Sequence, residues 1–204
     1  ETAVDGKDMT LTIDENIQYF VEKVAEDALK KHNADSVSIA VMNPNNGEIL
    51  GMVNKPGFNP NNPYEGSEAF NGKDESAKLQ HMWRNTIVSD YFEPGSIFKI
   101  ITSIAAIEEN IAGKDEVYYC DGSLNVAGKN IRCWKPGGHG VQNFNQTLEN
   151  SCNVAFMEMG AKLGAEKLNE YIKLFGFGTQ SGIDLPGEAT GIVKNVEDIS
   201  AVDL

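Results

Sequence analysis

The order of periodic segments along the sequence predicts an α+β domain. An amphipathic helix and a tight hairpin come first, a second hairpin lies near the middle, and a long helical block follows it. The sheet that such a block would cover is expected to be completed by residues beyond Leu204.

Residues Asp14 to Lys31 place Ile17, Phe20, Val21, Val24, Ala25, Ala28 and Leu29 on one face at helical spacing, with Asp14 as N-cap. Ser36 to Met42 and Glu48 to Asn54 are short β-type runs. The Asn43-Pro44-Asn45-Asn46-Gly47 segment between them carries the Asn-Gly signal of a tight reversal, so a β-hairpin is expected. From Lys55 to about Ser76, Asn, Gly and Pro interrupt any period, and a long surface loop is the reading. A helix is expected to open at Glu93-Pro94-Gly95-Ser96 and run to about Asn110; its isoleucines at 97, 100, 101, 104 and 107 make it apolar nearly all round and place it centrally. Val117 to Trp134 reads as a second hairpin turning near Ala127-Gly128, and the glycine-rich run Lys135 to Gly140 reads as mobile. Gln146 to Leu163 and Ala165 to Phe175 read as helices closed by Gly164 and Gly176.

With 41% hydrophobic and 8% aromatic residues, the chain is apolar enough to bury a core. Thirty acidic residues against 17 basic ones give a formal charge of -13, and no Lys/Arg stripe interrupts that balance. Nucleic acid is therefore excluded as an expected partner, as is an anionic membrane surface. No apolar run approaches the roughly 20 residues of a membrane-spanning helix, so any anchor is expected to lie outside this sequence. The 3 cysteines make an odd count and exclude a full disulfide framework.

Chemistry concentrates in Glu93-Pro94-Gly95-Ser96-Ile97-Phe98-Lys99. A hydroxyl in the first turn of a buried helix has an amine three residues later, and positions i and i+3 share a face. Free N–H groups at a helix start favour an alkoxide on Ser96, and burial disfavours protonation of Lys99, the properties of a nucleophile and its base. Ser-x-x-Lys alone is a common tetrapeptide, and a structural lysine paired with an acid is the plain alternative. The Pro-Gly turn directly before it sets this copy apart.

Ser-x-x-Lys opening a buried helix resembles the nucleophile motif of penicillin-binding proteins and serine β-lactamases. Their second motif, Ser-x-Asn, has two copies in this chain: Ser123-Leu124-Asn125, within the second hairpin, and Ser151-Cys152-Asn153, in the helical block. The latter lies where the family keeps its motif. Leu11-Thr12-Ile13-Asp14, Gly47 to Val53, Pro56 to Asn61, Arg84-Asn85 and Gly182 to Glu188 resemble class B penicillin-binding proteins in matching order. The segment Cys120 to Trp134 and the Ser-Cys-Asn motif are most similar to Gram-positive, sporulation-specific members.

That resemblance implies the penicillin-binding protein transpeptidase fold and an acyltransferase that cross-links peptidoglycan stem peptides. Ser96 is implied as nucleophile, Lys99 as its activator, Ser151 as a proton relay to the leaving amine, and Asn153 as a hold on the peptide amide and Lys99. It also implies acylation by β-lactams, no cofactor for the chemistry, and, in the whole protein, a membrane anchor, a glycosyltransferase partner and a site at the extracytoplasmic face of the cell membrane. A Lys-Thr/Ser-Gly triplet, the family's third motif, is absent. Lys55-Pro56-Gly57 and Lys135-Pro136-Gly137 lack the hydroxyl and N–H that role needs. Residues 1–204 are thus read as a partial transpeptidase domain ending before the strands that carry that motif, with half its oxyanion hole missing. A β-lactam sensor, a β-lactamase and a non-catalytic cell-wall scaffold are the competing readings.

Cys120, Cys133, His139 and Cys152 fall within 33 residues, and thiolates with an imidazole are a zinc-like ligand set. Consecutive side chains point apart, which would aim Cys152 away from Ser151 and Asn153 and toward the Cys133 to His139 loop. Zinc, a Cys133–Cys152 disulfide and plain packing of small thiols are three readings of this set. His139, flanked by glycines, favours zinc, since a disulfide has no use for it.

Overall fold

The computed structural model describes residues 5–113 and 115–204. The chain divides into two compact units: the residues up to Asp90 with Leu185–Glu188, and Tyr91–Asp184 with Ala189–Leu204.

In the first unit, helix α1 (Glu15–His32) starts where the sequence places it, because the Asp14 carboxylate accepts from the N–H groups of Asn16 and Ile17. Strands β1 (Val37–Met42) and β2 (Ile49–Lys55) form the expected antiparallel hairpin, with Ile39 opposite Val53. Val21 and Ala25 of α1 pack on Val53, with Ile17, Val37, Ile39 and Val41 around them. The amide of Gln18 clasps both backbone groups of Met52, donating to its carbonyl at 3.0 Å and accepting from its N–H at 2.8 Å. Only part of the apolar face of α1 is used, for Phe20 and Val24 remain exposed. After the irregular loop come two helices that the periodicity does not announce, α2 (Glu75–Trp83) and α3 (Thr86–Ser89).

In the second unit, a 3-10 turn, Gly95–Phe98, leads into α4 (Lys99–Glu108). One face of α4 is buried through Ile101, Thr102, Ser103, Ala105 and Ala106. Ile97, Ile100 and Ile107 are exposed, which corrects the expectation of a helix buried all round. The buried face meets α6 (Asn153–Leu174), whose Val154, Ala155, Phe156, Met159, Leu163 and Leu168 form the centre of this unit's core. Gly164 kinks α6 at φ 74°, near the boundary the sequence predicts between two helices.

The second hairpin needs correction. Only β4 (Ser123–Val126) and β5 (Lys129–Arg132) pair across the Ala127-Gly128 turn. Strand β3 (Val117–Cys120) instead pairs antiparallel with β6 (Gly140–Asn143), bringing Cys120 opposite Gly140. The glycine-rich run between β5 and β6 is therefore built into the structure, with Gly138 buried and backbone-bonded to Lys135. The helical block also starts earlier and is broken. A capping box of Asn143 and Gln146 opens α5 (Phe144–Glu149), which ends three residues before α6 begins.

Met159 is fully buried at the centre of this core. Met159→Ala is expected to lower the unfolding free energy by about 2–5 kcal/mol, whereas Ile192→Ala, at an exposed position, should change it by less than about 0.5 kcal/mol. Denaturant titration of both variants checks the pair.

Candidate active site

Ser96, Lys99, Ser151 and Asn153 all belong to the second unit. Ser96 lies on the 3-10 turn and is exposed, so the nucleophile candidate sits on an accessible turn and not in a buried one. Lys99 follows at i+3, and its backbone N–H bonds to the Ser96 carbonyl.

The half-buried Lys99 ammonium is directed at the break between α5 and α6. Its Nζ donates to the Ser151 carbonyl at 2.8 Å, Ser151 Oγ at 2.9 Å and Asn153 Oδ1 at 2.6 Å, and it lies 5.4 Å from the ring centroid of Phe156. Among the described residues no hydrogen bond links Lys99 Nζ to the Ser96 side chain. The expected contact between the two is thus replaced by one between Lys99 and the second motif. Burial pushes the Lys99 pKa below the usual lysine value, and the Cys133 and Cys152 sulfurs work in the opposite direction.

How Ser151 reaches Lys99 follows from the way α5 ends. The N–H of Cys152 bonds back to Thr147 and that of Ser151 to Leu148, the paired bonds of a Schellman motif. This motif puts its left-handed residue at Ser151, φ 47°, where glycine is the usual occupant. The backbone of Ser151 is strained, and the strain aims both its carbonyl and its hydroxyl at Lys99. The other Ser-x-Asn copy does nothing comparable. Asn125 on β4 accepts from the N–H of Gly128 and serves its own hairpin turn.

Cys152, between the two polar residues, faces the other way. Among the described residues, Cys120, Cys133, His139 and Cys152 bring their ligand atoms within 4.8 Å of one another. All three thiols are free and buried, Cys133 Sγ lies 3.6 Å from His139 Nδ1, and His139 Nε2 is buried without a partner among the described residues. Gly138, with φ 79°, permits this convergence, since a Cβ there would collide with the Cys120 carbonyl. Burial pushes the Cys120 thiol up. Burial also acts to raise Cys133, but the backbone N–H groups of Lys135, Asn153 and Val154 outweigh it and leave the thiol below its ordinary value. Burial, with Lys135 and Lys99 nearby, lowers His139. A set of thiols beside a neutral imidazole suits a soft cation.

Two neighbours of the site escaped the sequence reading. Phe156 lies one turn after Asn153, a spacing that marks it in retrospect. Trp134, beside Cys133, donates its Nε1–H to the Asn150 carbonyl at 2.9 Å and meets His139 edge-on at 5.2 Å.

The strain at Ser151 makes a stability difference measurable. Ser151→Gly and Ser151→Ala both lose the hydroxyl, but only glycine relieves the left-handed backbone. The glycine variant is expected to be the more stable of the two by about 1 kcal/mol, read from paired denaturant titrations; equal stabilities would show that Ser151 carries no strain.

Residues 37–203 match the family described as penicillin binding protein transpeptidase domain. Stage V sporulation protein D of Bacillus subtilis is 44% identical over 98% of this chain and 29% of its own length. Penicillin-binding protein PbpB of Mycobacterium tuberculosis is 31% identical over 97% of this chain and 28% of its own. The chain therefore spans less than a third of these curated relatives. Penicillin binding protein 3 of Mycobacterium tuberculosis, in its apo crystal form, is similar with a TM-score of 0.79 at 29% identity, covering 95% of this chain and 41% of that one. No helix among the described residues is long and apolar enough to cross a membrane. The α+β fold and the match across most of the chain place it in one group: this chain belongs to the penicillin-binding protein transpeptidase family and is transpeptidase-domain sequence of the class B type.

Proposed function

We propose that this domain is the acyl-transferring part of a D-Ala-D-Ala transpeptidase that cross-links peptidoglycan stem peptides and is acylated by β-lactams. The observation that carries this reading is the Lys99 ammonium held at once by Ser151 Oγ and Asn153 Oδ1, three residues after an exposed serine. Two relatives support it. Penicillin binding protein 3 of Mycobacterium tuberculosis is known in complex with ampicillin, and the MrdA protein of Acinetobacter baumannii is named a peptidoglycan D,D-transpeptidase.

Burial favours loss of one Lys99 proton; once it has gone, Ser96 Oγ attacks the carbonyl carbon of the penultimate D-Ala while its own proton passes to the neutral amine of Lys99. Lys99 contacts Ser151 Oγ, so the proton has a route through that hydroxyl to the departing D-Ala nitrogen. The C–N bond breaks and an ester remains on Ser96. An amine of a neighbouring stem peptide then attacks that ester, forms the cross-link and frees Ser96. With a β-lactam the same attack opens the ring, and no leaving group departs. Asn153 orients the peptide amide and Lys99. In the whole protein we assign the third motif to residues outside this sequence, together with a membrane anchor at the extracytoplasmic face and a glycosyltransferase partner.

The test uses a chain extended to the length of the relatives, incubated with benzylpenicillin. Intact mass should rise by one penicilloyl group, and peptide mapping should place it on Ser96. Lys99→Ala should slow acylation at least about 10²-fold, and Asn153→Ala should weaken it while Asn125→Ala does not. An ester on Ser151 or elsewhere would sink the assignment, a near-normal rate in Lys99→Ala would make that lysine structural, and rapid loss of the ester would favour a β-lactamase.

Cys120, Cys133, His139 and Cys152 we assign as the ligands of a structural zinc ion. Sulfurs about 2.3 Å from zinc at tetrahedral angles lie about 3.8 Å apart, so a small contraction of the observed cluster would accommodate the ion. All four ligand positions come from the protein, as in closed structural sites, and the ion would fix the Cys133 to His139 loop to the second motif without entering the chemistry. Protein purified without added zinc should contain one equivalent of it and three reactive thiols after denaturation, and a chelator should lower its melting temperature. One reactive thiol without metal would indicate the Cys133–Cys152 disulfide instead, and three thiols without metal would leave only packing.

A further inference from the structure

We propose that Trp134 is a positioning residue for the second motif, acting through the peptide plane between Asn150 and Ser151. The inference rests on the acyltransferase reading above. Trp134 is 61% exposed, so little of its ring is used for packing. Its one polar atom is nevertheless committed: Nε1–H donates to the Asn150 carbonyl at 2.9 Å. Asn150 is the C-cap of α5, a helix of six residues, and a carbonyl at that end has no partner within the helix.

The same peptide plane carries the N–H of Ser151, which bonds to Leu148 at 3.0 Å. A planar peptide pinned on both edges cannot rotate. Only the φ of Ser151 then separates that plane from the serine Cβ, and this φ is held at 47°, in the left-handed region. The Asn150 side chain adds a third tie, donating to Gln142 at 2.8 Å. The indole N–H thus completes a clamp on the residue before Ser151, while Lys99 holds the carbonyl and hydroxyl of Ser151 itself. The edge of the Trp134 ring against His139 sets the indole's own orientation, at an interplanar angle of 66°. Without the N–H the Asn150 carbonyl can turn to water, and Ser151 can relax from its left-handed conformation and withdraw its hydroxyl from Lys99.

The experiment compares acylation by benzylpenicillin in the extended chain carrying Trp134, Trp134→Phe, or benzothienylalanine at position 134, a near-isostere of tryptophan without the N–H. Each is made with Ser151 intact and with Ser151→Ala. From the concentration dependence, removal of the N–H should lower the limiting acylation rate about tenfold while the apparent dissociation constant stays within about twofold, the mark of lost orientation. In the Ser151→Ala background the same change should cost less than about twofold, because the group being positioned is already gone. Should the Phe variant unfold, the isostere carries the test. If the wild-type chain takes up no penicillin, the acyltransferase reading and this proposal fall together. If the wild type is acylated and both replacements react at its rate, or lose equally in the two backgrounds, Trp134 does not position Ser151.

Discussion

The Lys99 ammonium ties together three pieces of backbone that the packing of α4 on α6 brings near one another: the turn carrying Ser96, the end of α5 and the start of α6. Its value can be weighed against what it must oppose. A non-glycine residue in the left-handed region costs about 1–2 kcal/mol, and a hydrogen bond from a charged donor contributes about 1.5–3 kcal/mol. One of the two bonds to Ser151 is therefore enough to hold the strained residue, and the bond to Asn153 is free to orient the first residue of α6. The strain is sustained by the cation it serves.

The break between the helices also separates two environments. Ser151 and Asn153 turn to Lys99, and Cys152 turns to Cys120, Cys133 and His139. The first N–H groups of α6 are not free for an external anion, because Asn153 and Val154 direct theirs at Cys133. The helix end that favours negative charge is thereby committed to the Cys133 sulfur. A change at the cysteine cluster has a short route to the polar motif, since Cys152 belongs to the cluster and is joined directly to Ser151 and Asn153.

How much of this was legible in the sequence varied with the range of the forces involved. Helix α1 was readable because its cap, Asp14, and its apolar period are both local. The first hairpin was readable from its Asn-Gly turn. Pairing of β3 with β6 was not, since four-residue strands separated by another hairpin carry no register signal of their own. The α5–α6 break was hidden because Ser, Cys and Asn are all compatible with a helix, and nothing local announces a left-handed serine that a distant lysine holds in place. The four polar site residues and the four members of the cysteine cluster were named from spacing and resemblance. What spacing did not reveal was that Lys99 Nζ bonds to Ser151 and not to the Ser96 side chain, a choice made by tertiary packing of α4 on α6.

The two Ser-x-Asn copies make the same point at the scale of a tripeptide. On β4 the backbone is extended, and the side-chain amide oxygen of Asn125 accepts from the Gly128 N–H at 3.1 Å, capping its own hairpin. At Ser151 a left-handed residue followed by a helix start turns hydroxyl and carboxamide onto one cation instead. Identical first and third side chains thus perform unrelated tasks, and the difference lies in two backbone angles. A motif of this kind acquires meaning only where the fold supplies the conformation that turns its side chains onto one partner.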